Sequence, residues 1–255
     1  MGVHLKSRAE IAAMRETGRV VATILQALRE AAQPGITTGE LDELAVEMMA
    51  KAGVKSAWKG YGPGGRQPFP GVICASINEE VVHGIPSRRR KLREGDIVGI
   101  DFGVIREGWY GDSAVTVAVG QISEEAERLV RVTREALELG IAQAKPGNRL
   151  GDIGAAVQAH AEKHGYSVVR DFVGHGIGRR LHEEPQVPNY GPGGQGMRLK
   201  AGMVVAIEPM VNVGTWQVEE LDDDWTAVTA DGKLSAHFEH TVAVTEEGPV
   251  ILTLP

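Results

Sequence analysis

The amino-acid sequence predicts a protein of the α/β (α+β) class that is built from two similar halves. Three observations lead to this prediction: a long helix followed by a shorter one is indicated twice, strand patterns follow each helix pair, and the order is the same both times. We expect an approximate two-fold axis to relate the halves, which close one shared sheet with helices on its outer face. The 255 residues then form one domain, 1–255, with halves at roughly 8–120 and 124–250.

The helix pairs are indicated by a repeated pattern and by capping residues. Long helical patterns occupy roughly 8–32 and 124–144. A Pro-Gly pair at 34–35, and again at 146–147, leads from each long helix into a second helix. The residues that predict the helix starts are Ser7 with Glu10 and Thr37 with Glu40, both at capping-box spacing, and Ser123.

Strand patterns follow each helix pair and carry matched polar residues. The matched segments are 82–85 with 174–177, 92–101 with 199–208, and 112–117 with 239–244. An approximate two-fold axis would bring the polar residues of both halves toward one central site. These residues are His83 with His175, Asp101 with Glu208, and Asp112 with Glu239.

A single carboxylate at the end of an apolar strand is more often structural than catalytic. Asp101 follows the apolar residues 97–100 and Glu208 follows 203–207, and neither strand supplies a lysine or arginine beside its acid. Burying an ionised carboxylate is costly unless the charge has a partner. Because two such acids occur in matching strands, a divalent metal ion that binds both is the better explanation.

The charge of the matched acids indicates how many metal ions the site holds. Four carboxylates within about 4–6 Å of one another would repel by about 4 kcal/mol per close pair at an effective dielectric constant of about 20. One divalent ion leaves half of that charge uncompensated, whereas two ions balance it. Oxygen-rich ligands with one imidazole and no thiolate suit Mn²⁺, Fe²⁺ or Co²⁺ at least as well as Zn²⁺. The predicted ligands are Asp101, Asp112, His175, Glu208 and Glu239.

Two alternatives remain around these residues. His237 and His240 flank Glu239 and qualify as ligands by composition, although Glu239 is the residue that matches Asp112. The glycine-rich run at 174–178 is similar to a phosphate-binding loop, but prolines follow too soon for the helix that such a loop opens. We expect these glycines to let the backbone pass close to a neighbouring segment.

Composition and charge argue against several classes of protein. A formal net charge of −7 argues against a general nucleic-acid binder, so no DNA partner is expected. No apolar run approaches the roughly 18 residues of a membrane span, and the first residues lack a signal-peptide core. The single cysteine, Cys74, excludes an internal disulfide and fits the cytoplasm. The basic run at 88–93 is expected to be a solvated turn, with a contact to an anionic partner as the alternative.

Seven short segments together carry a resemblance to a known family. They read SINEEVVHGIP at 76–86, DIVGID at 96–101, GD at 111–112, GHGIG at 174–178, HEEP at 182–185, IEPM at 207–210 and EHT at 239–241. From about residue 11 to residue 252 the sequence resembles the bacterial type I methionine aminopeptidases of peptidase family M24. The resemblance implies the duplicated pita-bread fold, in which helices cover a central curved antiparallel sheet with pseudo-two-fold symmetry.

The resemblance also implies a role for each metal ligand. Asp101 is expected to chelate one divalent ion, and Asp112 and Glu239 are expected to bridge both ions. His175 and Glu208 are expected to complete the sphere of the second ion. The two ions would be Co²⁺, Mn²⁺, Fe²⁺ or Zn²⁺.

The implied reaction is removal of the initiator methionine from a nascent polypeptide whose second residue is small. Glu208 is expected to act as a catalytic residue that moves a proton to the leaving amine. His83 and His182 are expected to be catalytic and substrate-binding residues rather than ligands, because they stabilise the developing oxyanion. We expect a cytoplasmic monomer with at most a transient ribosome contact.

The pocket for the substrate side chain matches the family pattern less closely than the metal site does. The resemblance implies that Phe69, Cys74 and Trp225 bind the methionine side chain. The family usually has phenylalanine where this sequence has Leu181, which removes one ring and is expected to widen the pocket. The pocket segment at 61–70 is longer than in the family and rich in glycine.

Two other functions remain as alternatives. An X-Pro aminopeptidase or prolidase uses the same fold and ligands, although it usually carries a large additional N-terminal domain. A non-catalytic binding protein on this fold is expected to lose metal ligands, and all five are present here.

Overall fold

The computed structural model describes residues 2–255, which contain four α-helices. They are α1 (Arg8–Ala31), α2 (Thr38–Ala52), α3 (Glu124–Ala142) and α4 (Leu150–Lys163). The predicted caps are confirmed, since the side chains of Ser7, Thr37 and Ser123 each accept a hydrogen bond from the backbone N–H three residues later. In both capping boxes a glutamate also accepts from the cap residue's N–H, with Glu40 Oε2 2.8 Å from Thr37 N.

Fifteen strands, most of them short, complete the described elements. The strands of the first half are β1 (Lys55–Ser56), β2 (Ile73–Ile77), β3 (Glu80–Val82), β4 (Ile97–Arg106) and β5 (Trp109–Ala118), with a 3₁₀ turn at Pro63–Gly65. Those of the second half are β6 (Ser167–Val168), β7 (Gly174–Gly176), β8 (Glu183–Val187), β9 (Val204–Ile207), β10 (Met210–Asn212), β11 (Val218–Glu220), β12 (Ala227–Thr229), β13 (Ser235–His237), β14 (Glu239–Thr245) and β15 (Gly248–Ile251).

Nine of these strands form one sheet that runs through both halves. Its order is β1-β4-β5-β14-β9-β7-β8, with β2 also paired to β4 and β15 to β14, and each of these pairings is antiparallel. The pairing of β5 with β14 joins the first half to the second. Two three-stranded sheets, β13-β10-β6 and β11-β12-β3, lie beside it.

The predicted duplication is confirmed by the order of the elements. A helix pair precedes the strand pair β4 and β5 in the first half, and another helix pair precedes β9 and β14 in the second. Apolar side chains of α1 and α2 pack against β2, β4 and β5 in one core cluster. Those of α3 and α4 pack against β9 and β14 in a second cluster. The helices therefore cover the sheet, as the resemblance implies.

None of the helices within residues 2–255 has the length and hydropathy needed to cross a membrane. The second-half counterpart of Thr37 is Arg149, whose side chain cannot accept a hydrogen bond. Asp152 keeps the other half of the capping box there, since its carboxylate accepts from Arg149 N at 2.7 Å.

Replacing the α2 cap tests the contribution of these local signals. We expect Thr37→Ala to lower the free energy of unfolding by about 1 kcal/mol, because the Glu40 N–H loses its acceptor. The measurement is urea unfolding at a fixed, saturating metal concentration, so that metal binding stabilises both proteins equally. The control Thr23→Ala, on the exposed side of α1, should stay within about 0.5 kcal/mol of wild type. Equal losses for the two variants would contradict the capping assignment.

Candidate active site

The candidate active site lies in the middle of the nine-stranded sheet. Asp101 belongs to β4 and Asp112 to β5, while Glu239 begins β14. His175 belongs to β7, and Glu208 directly follows β9. All five residues line one cavity of about 80 Å³. The structure thus brings the five predicted ligands of both halves together.

The register of three strands explains why the acids meet. Asp101 and Glu239 are both directly opposite Ala114, from the two strands that flank β5. Directly opposite residues of paired strands project to the same face of a sheet, and so do residues two apart in one strand. Asp112 therefore shares the face of Ala114, and three carboxylates from two halves converge there.

The tightest group in this cluster has three members. Ligand atoms of Asp112, His175 and Glu239 all lie within 4.8 Å of one another. Glu208 Oε1 lies 3.5 Å from His175 Nε2, and Asp101 Oδ1 accepts a 3.3 Å hydrogen bond from the indole of Trp58. Asp101 and Glu208 line the same cavity but stand outside the tightest group.

Burial raises the pKa of every carboxyl group in the cluster. It raises the pKa of Asp112 to about 7. Burial is also the main reason why the pKa values of Asp101, Glu208 and Glu239 lie well above normal, and the negative charge of Asp112 raises them further. The pKa of His175 falls to about 3 through burial, so its imidazole is neutral at pH 7. The cluster therefore resists ionisation unless a cation compensates the charge.

Buried atoms that lack partners show that these residues fit a divalent metal ion. Asp112 Oδ1 and Glu239 Oε1 are buried, and no donor within residues 2–255 bonds to them. His175 Nδ1 donates to the Gly176 carbonyl oxygen at 2.9 Å, which leaves a lone pair on Nε2. A buried polar atom without a partner is costly. A cation in the cluster would satisfy all three atoms.

The glycines that flank His175 let β7 approach both neighbouring strands. A Cβ at Gly174 would lie 2.3 Å from the Ala206 carbonyl oxygen in β9, and one at Gly176 would lie 2.2 Å from that of Glu184 in β8. Both separations are too short for any larger residue. The prediction of close backbone approach is confirmed, and β8 rather than a helix follows this run.

His83 and His182 lie at the margin of the same cavity. The His83 ring is surrounded by Trp58, Phe172 and Trp225, with ring centroids 5.4–5.9 Å away, and burial lowers its pKa to about 3. The His182 ring centroid is 4.2 Å from that of His175, and its Nδ1 is 2.6 Å from the Tyr61 hydroxyl. Neither histidine belongs to the tightest group of candidate ligands.

The structure separates the two histidines that flank Glu239. His237 lines the cavity, and its buried Nε2 has no hydrogen-bond partner in the described chain. His240 Nδ1 instead lies 2.9 Å from the Thr253 hydroxyl, and this residue does not line the cavity. Strand alternation explains the position of His240, because it directly follows Glu239 in β14 and therefore projects to the opposite face. His237 therefore stays a candidate for metal or substrate contact, whereas His240 does not.

The three predicted pocket residues form a buried cluster of their own. Phe69, Cys74 and Trp225 pack together with Trp58, and each is at most 3% exposed. Cys74 is the strand partner of Asp101, so this apolar cluster adjoins the acids. Burial is the main cause that raises the pKa of the Cys74 thiol. None of the three lines the cavity that holds the acids, so the predicted pocket residues form a neutral, closely packed cluster beside it.

Leu181 lies elsewhere than the pocket expectation implies. It is buried with Met14, Trp109 and Ile177 in a separate apolar cluster and does not line the cavity. Its side chain therefore supports the bend that carries His182, directly before β8, and does not widen the pocket.

Sequence reasoning missed three residues that contact this site: Trp58, Thr241 and Phe172. Thr241 was detectable in principle, because it lies two residues after Glu239 on the same face of β14. Trp58 and Phe172 lie in loops outside the matched segments, where no periodicity marks them.

Comparison with known proteins agrees with this architecture. Residues 12–246 match the model of metallopeptidase family M24. The chain is 52% identical to methionine aminopeptidase of Clostridium acetobutylicum over 98% of both chains, and 51% identical to methionine aminopeptidase 1 of Bacillus subtilis over 97% and 98%.

Solved structures separate two groups of relatives. The crystal structure of methionine aminopeptidase from Thermotoga maritima covers 100% of both chains with a TM-score of 0.95 and 48% identity. A prolidase from Pyrococcus horikoshii matches 98% of this chain and 63% of its own, with a TM-score of 0.77 and 21% identity. The prolidase therefore shares the fold alone.

A duplicated α/β fold around a buried cluster of acids and imidazole defines a metal-dependent peptidase. The chain belongs to metallopeptidase family M24 and, within it, to the methionine aminopeptidases.

Thr241 offers a test of how the site is supported. Its hydroxyl accepts from Asp112 N at 3.2 Å and donates to Asp112 O at 2.8 Å, bridging β5 and β14. We expect Thr241→Val to lower the free energy of unfolding by about 1–3 kcal/mol, because two buried backbone groups lose their partner. Thr245→Val is the control, since its hydroxyl bonds the partly buried Gly248 carbonyl and water can replace it. A larger loss for Thr245→Val in urea unfolding would refute the bridge.

Proposed function

We propose that this protein hydrolytically removes the N-terminal methionine from newly made polypeptides whose second residue is small. The observation that carries the proposal is that the acid and imidazole cluster adjoins the buried aromatic cluster of Phe69 and Trp225 through the Cys74–Asp101 strand pairing. The first feature suits metal-dependent hydrolysis, and the second suits a long, unbranched, polarisable side chain. The identity of about half with methionine aminopeptidases over nearly the whole chain supports the same substrate.

The proposed metal ligands are Asp101, Asp112, His175, Glu208 and Glu239, with Asp112 and Glu239 shared between two divalent ions. The support is electrostatic, because four carboxylates that line one small cavity need about four positive charges to ionise together. Mostly oxygen ligands with one imidazole suit Co²⁺, Mn²⁺, Fe²⁺ or Zn²⁺. When bound, such ions lower the pKa of water and polarise a carbonyl group.

The remaining residues would bind the peptide and move the proton. Glu208 lies 3.5 Å from His175, within reach of the cavity, and is proposed to take a proton from water and deliver it to the leaving amine. His83 and His182 are proposed to donate hydrogen bonds to the carbonyl oxygen as negative charge develops there. The Tyr61 hydroxyl, 2.6 Å from His182 Nδ1, is proposed to donate to it, which leaves the ring proton on Nε2 for the substrate.

We also propose a domain organisation, an oligomeric state, a location and a partner for this protein. The β5–β14 pairing supports a single catalytic domain, and we propose a monomer in the cytoplasm. Transient ribosome contact is proposed through the exposed side chains of Arg89, Lys91 and Arg93. Arg88 and Arg90 are less suited, because they form ion pairs with Glu43 and Glu80 respectively.

Measuring the bound metal of variants distinguishes the proposed metal ligands from the residues proposed to contact the substrate. We expect Asp112→Asn and His175→Ala to reduce bound metal and activity together, because each loses a ligand atom. His83→Ala and His182→Ala should keep the metal content of wild type and lose about 2–4 kcal/mol of transition-state stabilisation. The exposed acid Glu184, replaced by Gln, is the matched control for both readouts. Full metal content in His175→Ala with loss in His83→Ala would reverse the assignment.

Peptide hydrolysis tests the specificity. We expect kcat/KM to be at least about tenfold higher for Met-Ala than for Leu-Ala peptides, because a hydrophobic pocket discriminates by about 1–3 kcal/mol per methylene. Met-Ala should also far exceed Met-Leu, because a bulky second residue would press on His83. An Ala-Pro peptide as the best substrate would favour an X-Pro aminopeptidase and overturn the pocket assignment, but not the metal site.

A further inference from the structure

The glycine-rich loop at 60–69, called here the pocket loop, carries one charged side chain that the proposed reaction does not use. Its base is closed by backbone hydrogen bonds from Gly60 N to Phe69 O at 2.9 Å and from Phe69 N to Tyr61 O at 2.7 Å. Most residues between these bonds are exposed, whereas Arg66 is half-buried. The loop therefore projects from a fixed base and places Arg66 at its far end.

Arg66 links the pocket loop to the turn between β11 and β12. Its Nη2 donates to Glu220 Oε2 at 2.6 Å, and its Nη1 donates to the Asp224 carbonyl oxygen at 3.1 Å. The guanidinium carbon lies 5.5 Å from the ring centroid of Trp225, at cation–π distance. These three contacts, to the last residue of β11 and to two residues of the turn that follows, are more specific than an isolated surface ion pair.

The pocket loop holds Trp225 at other points as well. The indole Nε1 donates to the Gln67 carbonyl oxygen at 2.9 Å. The Phe69 ring meets the indole in an edge-to-face arrangement, with centroids 5.1 Å apart and an interplanar angle of 82°. The pocket loop thus binds the indole N–H through Gln67 and contacts the indole ring through Arg66 and Phe69.

The turn that carries Trp225 needs such support. Asp224 has φ of 67°, a left-handed conformation that is unfavourable for a residue with a side chain. The Asp223 carboxylate accepts from Trp225 N and Thr226 N at 2.9 and 2.7 Å, which shapes the turn from within. Arg66 binds the Asp224 carbonyl from outside, so it opposes relaxation of the strained residue.

We propose that Arg66 is a positioning residue that sets the selectivity for methionine by holding Trp225 against Phe69. The inference rests on the proposed function, because these two rings form the proposed pocket wall. Arg66 does not line the cavity that holds the acids. Without its guanidinium the pocket loop holds Trp225 only through the Gln67 carbonyl and the Phe69 ring, so the indole is less restrained and the pocket discriminates less.

The test compares Arg66→Met, which keeps an unbranched apolar stem, with Arg66→Lys and Glu220→Gln. We expect Arg66→Met to raise KM for Met-Ala about fivefold, leave kcat within about twofold, and lower the preference for Met-Ala over Leu-Ala about threefold. Arg66→Lys should restore part of the loss through its charge, and Glu220→Gln should lose less than Arg66→Met. Arg131→Met is the matched control, since Arg131 also pairs with a glutamate on an exposed surface.

Amide hydrogen exchange supplies a measurement that needs no substrate. We expect residues 62–69 and 221–226 to exchange faster in Arg66→Met and to be unchanged in Arg131→Met, with equal metal content in all proteins. Equal exchange in wild type and Arg66→Met overturns the positioning role. Faster exchange with an unchanged Met-to-Leu preference overturns the selectivity role. A wild-type enzyme that does not prefer methionine overturns the proposed function itself, and the exchange data then still decide whether Arg66 holds the turn.

Discussion

Four carboxyl groups that line one cavity, three of them buried, are the constraint on which the rest of the structure depends. Burial and mutual repulsion raise the pKa of Asp101, Glu208 and Glu239 well above normal. At an effective dielectric constant of about 20, each close pair of charges repels by about 4 kcal/mol. Metal ions remove this cost, so metal binding and stability of the folded centre are coupled. The duplicated fold is the means by which two chain segments far apart in sequence supply these acids.

Uncharged groups hydrogen-bond to the acids and to His175, and so hold these side chains in place without adding charge to the cavity. The Thr241 hydroxyl bridges the backbone of Asp112 across β5 and β14. The Gly176 carbonyl selects the tautomer of His175, and the Trp58 indole bonds Asp101. These contacts use main-chain groups, a hydroxyl and an indole, which orient ligands without competing for a cation. The aromatic wall at Phe69 and Trp225 continues this neutral surface toward the proposed substrate side chain.

Much of the fold and part of the site could be predicted from the sequence. The caps at Ser7 and Thr37 depend on neighbours three residues away, so local spacing was sufficient. The choice between His237 and His240 needed the strand face, which depends on where β14 pairs with β5. Leu181 and Trp58 follow no periodic pattern, because their positions depend on how loops pack against distant elements. Arg66 contacts residues about 150 positions away, beyond any local signal.

The sequence by itself determined which residue types the proposed centre contains, since the repeat pairs the acids and imidazoles, and the apolar strands around the acids favour a cation as their partner. It also determined the helices, whose hydrogen bonds and caps are local. Only the tertiary structure decided that Asp101 and Glu239 both face Ala114, that Gly174 and Gly176 fit β7 between two strands, and which side chains surround Trp225. The physical reason is that strand register and loop packing depend on the sum of many distant contacts, whereas residue type and local spacing are already present in the chain.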